Sequence, residues 1–302
     1  MDPRIEASRN AVTQLEPQNV ADAQEATCCP TLVSEFSWDN VNLTRQTSHG
    51  TIAWVDAFGH DSNRCLGEWS SFFAFRCFNA LLMCSVLVGA MIDQELNYAG
   101  LEYYFIFLTN WTLIVQCVYL VLACYVTHSL RELVASGEHG TELEMPLSVK
   151  TLWLLQGVLV PGTCLVFLLY WGLVFDGTIH TFTIPTHGVN FLVQLADLLI
   201  SSQPYLLLHG LYFFAYCMLF LAWSLIHYAT GVGDGKGNRY IYSSLDWSNV
   251  SGTSSLALFI LLLVVPLCNC FFWALVTYCR GQAPVEGQAE ETPRVELEET
   301  QL

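Results

Sequence analysis

Pro185–Ser201 reads PTHGVNFLVQLADLLIS, a run apolar enough to sit in a bilayer yet marked by His187, Asn190, Gln194 and Asp197. Those four positions are spaced i, i+3, i+7 and i+10, so at helical period their side chains fall within a sector of roughly 80°. A strongly polar group at membrane depth costs on the order of a few kcal/mol and faces a protein interior or a wet cavity rather than lipid. The stretch therefore predicts a helix whose polar edge is turned inward, and it requires a bundle to turn toward.

The remainder of the chain supplies that bundle. Of 302 residues, 53% are hydrophobic and 13% charged, against about 25% charged in soluble domains. Six apolar segments, at about 72–92, 101–127, 150–175, 185–201, 206–230 and 253–279, each approach the ~20 residues that cross ~30 Å of hydrocarbon. Backbone groups cannot stay unpaired in lipid, so segments of this length are helices. The expected fold is all-α: a polytopic membrane protein with six transmembrane helices in one bundle over residues 71–280. A polar region at 1–70 precedes it and an acidic tail at 281–302 follows. No apolar run of the signal-peptide kind follows Met1. The first half of the N-terminal region is rich in Gln, Glu, Ala and Asn and reads as disordered, as does the Glu-rich tail. The second half carries Trp38, Trp54 and Trp69, residues expected at a membrane interface.

Charge sets the orientation and narrows the partners. Arg64 precedes the first segment and Arg76 lies at its entry, Arg131 and Lys150 bracket the loop between the second and third, and Arg280 follows the sixth. Only Lys236 and Arg239 lie in a loop on the other side. The bias toward one side places both termini in the cytosol, with the chain integral to the plasma membrane or an endomembrane. A net charge of −16 leaves no surplus of cations to displace counterions from nucleic acid, which is excluded as a partner. The bilayer is the partner that composition implies; no protein partner can be read from it. Cys77, Cys84, Cys117, Cys124, Cys164, Cys217, Cys268 and Cys270 sit in apolar runs and behave there as small hydrophobes. No spacing suggests a zinc knuckle, and no cofactor is implied. The loop at 231–238 alternates glycine with other residues, but lacks the strand before and the helix after that a phosphate cradle needs.

Chemistry, if present, belongs to the interior that the stripe faces. The second segment repeats the same spacing, with Thr109, Thr112, Gln116 and Tyr119 in FIFLTNWTLIVQCVYL. Two striped helices predict either interhelical hydrogen bonding alone or a shared wet interior. Chain direction sorts the polar residues by depth. Thr109, Asn110, His187, Asn190 and His227 gather in an outer layer, with His180 in the adjoining loop, and Asp197 and His209 gather in an inner layer. A Thr with a His in reach is a nucleophile–base pair in outline, the imidazole taking the hydroxyl proton before attack on an ester carbonyl. Thr109 and His187 are the candidate pair, with His227 as the alternative base. Asn110 or Asn190 is placed to steady the oxyanion. A metal site built from His187 and His227 with His180 or Asp176 lacks the tight spacing that would support it, so no metal is assigned. Asp197 and His209 are expected to form a buried structural pair.

Arg76 entering the first segment, YYFIFLTNWT at 103–112, HGVNFLVQLAD at 187–197, SSQPYLLLHG at 201–210 and RYIYSSLDW at 239–247 resemble, in this order, the rolling stone family of multipass membrane proteins. That resemblance implies a role in membrane organisation or in cell–cell fusion of the myoblast type. A wider likeness is to the androgen-induced membrane hydrolases, which cleave fatty acid esters with an intramembrane Thr and His. Their Thr stretch is similar to Phe107-Leu108-Thr109-Asn110. Their paired-His stretch is similar to Thr186-His187-Gly188-Val189-Asn190, where the second His position holds Asn190. The likeness implies a lipid ester as substrate.

Overall fold

The computed structural model describes residues 32–62, 66–98, 100–140 and 142–279. The first half of the N-terminal region, the acidic tail, Arg64 and Arg280 lie outside the described residues. A short helix α1 (Leu32–Glu35), a 3-10 turn (Trp38–Val41), a two-residue hairpin β1 (Gln46–Thr47) and β2 (Gly50–Thr51), and α2 (Trp54–Gly59) form an N-terminal cap. The bundle follows: α3 (Trp69–Asn97), α4 (Leu108–Ser129) with the short α5 (Arg131–Ser136), α6 (Leu147–Leu169), α7 (Asn190–Ile200), α8 (Gly210–Thr230), α9 (Val250–Phe259) and α10 (Val265–Cys279).

Among the described residues five stretches are long and apolar enough to cross a membrane: Trp69–Asn97, Leu108–Ser136, Leu147–Val174, Leu207–Thr230 and Val250–Cys279. The segment that opened the sequence reading is shorter, a five-residue π turn (Pro185–Val189) followed by the eleven residues of α7. At 1.5 Å per residue these extend for only about 24 Å. The six expected spans thus appear as five long helices and a short one, the fourth, buried among them. Trp153 near the start of α6 lies against His209 at the start of α8, while Val166 and Phe220 pack together toward their far ends. The helices α6 and α8 therefore run parallel, and the chain between them returns across the bundle through α7 and the extended residues 201–206. Large apolar side chains such as Phe78, Val88, Val121, Leu219, Leu262 and Phe271 stay exposed on the outside of the long helices, the surface a lipid-embedded bundle presents.

The two polar stripes face each other. The helices α4 and α7 run parallel: Gln116 Nε2 donates to Asn190 O at 2.7 Å and to Gln194 Oε1 at 3.4 Å. One layer further on, the Tyr119 hydroxyl donates to Asp197 Oδ2 at 2.5 Å. Thr112 leaves the stripe and meets the Tyr216 hydroxyl on α8 at 3.1 Å. The partner of Asp197 corrects two expectations. His209 does not pair with it; that imidazole packs against Trp153, ring centroids 4.7 Å apart, because the 3-10 turn before α8 points it at α6. Nor is Arg76 a flanking cation. Helix α3 begins seven residues earlier, at Trp69, which carries Arg76 into the core with no exposed surface. There its Nε stands 3.5 Å from Asp197 Oδ1, its Nη1 donates to Thr127 Oγ1 at 2.6 Å, and its guanidinium lies over the Phe72 ring. One buried ion pair thus joins α3, α4 and α7.

The tryptophans expected at a membrane interface have different surroundings in the cap. Trp54 and Phe58 are buried, and Phe58 meets Trp153 edge to face at 6.0 Å; Trp38 is exposed. At the opposite end of the bundle, residues 231–238 are a closed turn. Asp234 accepts from the amides of Lys236 (2.8 Å) and Asn238 (3.0 Å) and from Asn238 Nδ2 (2.8 Å). Partial burial pushes the Asp234 carboxyl up, but the Asn238 side chain and the two amides outweigh it and hold the group below the usual carboxylate range.

Two outcomes are expected. Removing the Asp197 charge alone (Asp197→Leu) leaves the buried guanidinium of Arg76 uncompensated and destabilises the bundle by about 3–5 kcal/mol. Adding Arg76→Met to it recovers part of that loss, a non-additivity that a double-mutant cycle of unfolding in detergent measures. Because the Asp234 carboxyl is depressed on folding, its contribution is complete above the ordinary carboxylate value of ~3.9 and disappears as pH falls through the lower folded value. Hydrogen exchange of the 231–238 amides, corrected for intrinsic rates, should stay level from about pH 7 to pH 5 and accelerate only below ~4.

Candidate functional site

A cavity of about 600 Å³ opens at the end of the bundle opposite the cap, within the ~300–1,000 Å³ typical of small-molecule sites. Its mouth is polar, formed by Asp93, Gln94 and Tyr98 at the end of α3, His180 in the loop after α6, and Asp234, Lys236 and Asn238 of the closed turn. Its flank is apolar: Leu165, Val166 and Leu169 from α6, Phe220 and Leu221 from α8, and Leu256, Ile260 and Leu261 from the last span. Three π turns border it, Tyr170–Val174, Pro185–Val189 and Ile260–Val264, and each contributes lining residues. A π turn widens the helix by one residue and is often found where a side chain must be re-aimed.

Thr109 and His187 meet in this cavity. Thr109 sits in the first turn of α4, not two turns inside a span, because Leu101–Ile106 forms a separate 3-10 turn before the helix starts. Its hydroxyl is 3.5 Å from His187 Nδ1. His187 belongs to the π turn and stacks flat on Tyr170, ring centroids 3.4 Å and planes 4° apart. The stack fixes the plane of the imidazole. With its proton on Nε2, Nδ1 is free to accept from the Thr109 hydroxyl. A separation at the long end of hydrogen bonding is common in sites without substrate and shortens when one binds.

The other candidates are dispersed. Asn110 lines the cavity, but its Nδ2 donates to Tyr104 O at 2.7 Å. Asn190 lies one turn deeper, buried against Gln116 and away from the cavity lining. His227 is buried beside Trp223, ring centroids 6.1 Å apart, and does not line the cavity, so the alternative base is not near Thr109. His209 lies at the cap end. Among the described residues no three His, Cys, Asp or Glu side chains gather closely enough to hold a metal.

Residues that the sequence reading passed over complete the site. Tyr170, Tyr104 and Tyr242 all line the cavity. The amide of Leu108 donates to the Tyr242 hydroxyl at 3.1 Å, tying the loop after α8 to the first turn of α4. The RYIYSSLDW stretch contained Tyr242, but nothing local to it signals a contact with residues 134 positions earlier.

Comparison with known proteins agrees with this architecture. A family model described as "Protein rolling stone" matches residues 57–280, from α2 to the end of the last span. A relative named "Protein rolling stone" from Drosophila melanogaster is 28% identical over 159 residues, covering 48% of this chain and 57% of the relative. The match thus spans little more than half the length of that relative. No solved structure matches. The family model takes in the whole cavity and the α4–α7 interface on which it rests, and the chain belongs to the rolling stone family.

Proposed function

We propose that this membrane protein is a lipid esterase whose nucleophile is Thr109 and whose general base is His187. The observation that carries the proposal is the 3.5 Å approach of Thr109 Oγ1 to His187 Nδ1 at the wall of a cavity polar at its mouth and apolar along its flank. In the forward step Nδ1 takes the hydroxyl proton as Oγ1 bonds to the ester carbonyl carbon. Collapse of the tetrahedral intermediate expels the alcohol, which receives the proton back from the imidazolium. Water then attacks the acyl-threonine with the same base, releasing the acid and restoring Thr109. The apolar flank suits an acyl chain, and the polar mouth suits the ester and the groups beyond it. The same reading puts the cavity on the non-cytosolic side and both termini in the cytosol. The described cap end carries Arg45, Arg131 and Lys150 against Lys236 and Arg239 at the cavity end.

A second reading rests on family membership: a non-enzymatic protein of membrane organisation or cell–cell fusion, with the Thr109–His187 contact serving only to pack α4 against the π turn. Covalent labelling separates the two. The esterase reading expects a fluorophosphonate probe to modify wild-type protein at Thr109. Thr109→Ala should abolish labelling and lower ester hydrolysis by about 10³-fold or more. Thr109→Ser should keep part of the activity. His187→Phe, which retains a ring to stack on Tyr170, should fold normally and lose activity to a similar extent. Wild-type protein that takes up no probe, or labelling unchanged in Thr109→Ala, returns the chain to the second reading. Orientation is tested separately. In microsomes sealed with the cytosolic face outward, added protease should remove tags at both termini and spare a tag inserted at 231–238.

A further inference from the structure

The proposed proton transfer makes no use of the Tyr242 hydroxyl, although Tyr242 lines the same cavity. This residue precedes the 3-10 turn Ser243–Leu245, in the stretch that returns from the closed turn toward the last span. Its ring is held between Phe107 and Phe220, centroids 5.7 and 6.4 Å away. Its oxygen accepts from the Leu108 amide at 3.1 Å and lies against the side chain and amide of Thr109. A phenol whose oxygen already accepts one hydrogen bond has its own proton to give.

The surroundings fix where that proton is useful. Leu108 and Thr109 are the first residues of α4, where amides have no carbonyl partner one turn back. The next two amides, of Asn110 and Trp111, are already taken by Phe107 O at 3.1 and 3.2 Å. The two asparagines that the sequence suggested for charge stabilisation are otherwise engaged, Asn110 with Tyr104 O and Asn190 outside the cavity. An oxygen that becomes negative beside Thr109 Oγ1 therefore meets the positive end of α4 and the Tyr242 phenol held against it.

Building on the Thr109–His187 reading, we propose that Tyr242 is a catalytic residue that donates a hydrogen bond to the oxyanion formed when Thr109 attacks an ester carbonyl. As the Oγ1–carbon bond forms, the carbonyl electron pair moves onto oxygen and the threonine proton passes to His187 Nδ1. Tyr242 keeps its proton throughout and stabilises the charge. The Leu108 amide holds the phenol in place and makes it a better donor by binding its oxygen.

The test uses the full chain in detergent or nanodiscs, with a fluorophosphonate probe whose phosphoryl oxygen occupies the oxyanion position. Tyr242→Phe should slow labelling of Thr109 by about 10²–10³-fold, the usual effect of deleting one oxyanion donor. Probe concentration dependence should place the loss in the maximal rate rather than in half-saturation, with the melting temperature unchanged. Should Tyr242→Phe fold poorly, difluorotyrosine incorporated at the same position keeps the size and the Leu108 contact while acidifying the phenol. Labelling of that protein should then fall as rising pH removes the phenolic proton, while wild-type labelling does not fall over the same interval. Tyr242→Phe labelled at the wild-type rate, or a difluorotyrosine protein with the wild-type pH profile, overturns the Tyr242 assignment alone. Wild-type protein that is never labelled overturns the nucleophile assignment and this one with it.

Discussion

Everything in this fold follows from the need of polar side chains at membrane depth to find each other. The edge of α7 carries Asn190, Gln194 and Asp197 into a region where water is not at hand, and α4 presents Gln116 and Tyr119 at matching heights. Neither helix can rotate without exposing those groups to lipid, at a cost of order kcal/mol for each. The Arg76–Asp197 pair then locks α3 to the same seam. A buried ion pair of this kind contributes little net stability, since desolvation of both charges offsets their attraction, but it strongly penalises any arrangement that separates them. It therefore specifies one packing of three helices and fixes how α7 approaches α4.

That constraint is what delivers the site. With α7 held in register against α4, the chain ahead of Asn190 must pass the first turn of α4, and His187 arrives beside Thr109. The π turn adjusts the remainder. An uninterrupted α-helix would keep His187 on the line of Asn190, facing the buried seam, whereas the turn lets it stack on Tyr170 and border the cavity. The polar seam is thus buried near Tyr119 and opens into a cavity near Thr109. One helix pair performs a structural task at one end and frames the Thr109–His187 contact at the other.

How much of this was legible in the sequence depends on the range of the interaction. The inward edge of 185–201, its match with the second segment and the nearness of Thr109 and His187 come from periodicity and chain direction, which are local properties. The partner of Asp197 was not legible, because Arg76 sits beside the polar N-terminal region and looks like a boundary cation until the true start of α3 at Trp69 is known. His209 looked available because depth was counted along straight helices, whereas the 3-10 turn before α8 aims it at Trp153. Tyr242 and Tyr170 were missed for a different reason: an aromatic in a membrane protein signals nothing by itself, and their roles exist only through contacts far away in sequence. Family likeness pointed at the stretch that contains Tyr242 without saying what it touches.

The shortness of α7 also explains the cap. A helix that ends at Ile200 leaves residues 201–206 extended inside the bundle, and such backbone is tolerated in a membrane protein only where protein satisfies it. Trp153 Nε1 donates to Pro204 O at 2.8 Å and Asn269 Nδ2 to Leu207 O at 2.7 Å, while the Tyr119 hydroxyl reaches Gln203 Oε1 at 3.3 Å. The N-terminal residues add further partners. The Ser62 hydroxyl donates to Leu199 O at 2.7 Å, Asp61 and Ser201 form an antiparallel bridge, and the Ser202 amide reaches His60 O at 3.3 Å. Glu35, buried and paired with His49, accepts the Leu207 amide at 3.3 Å. A full-length sixth helix would need none of these partners, so the folded segment at 32–62 is the structural counterpart of the short α7. The second half of the polar region ahead of the first span thus packs against the bundle through Ser62, Asp61, His60 and Glu35.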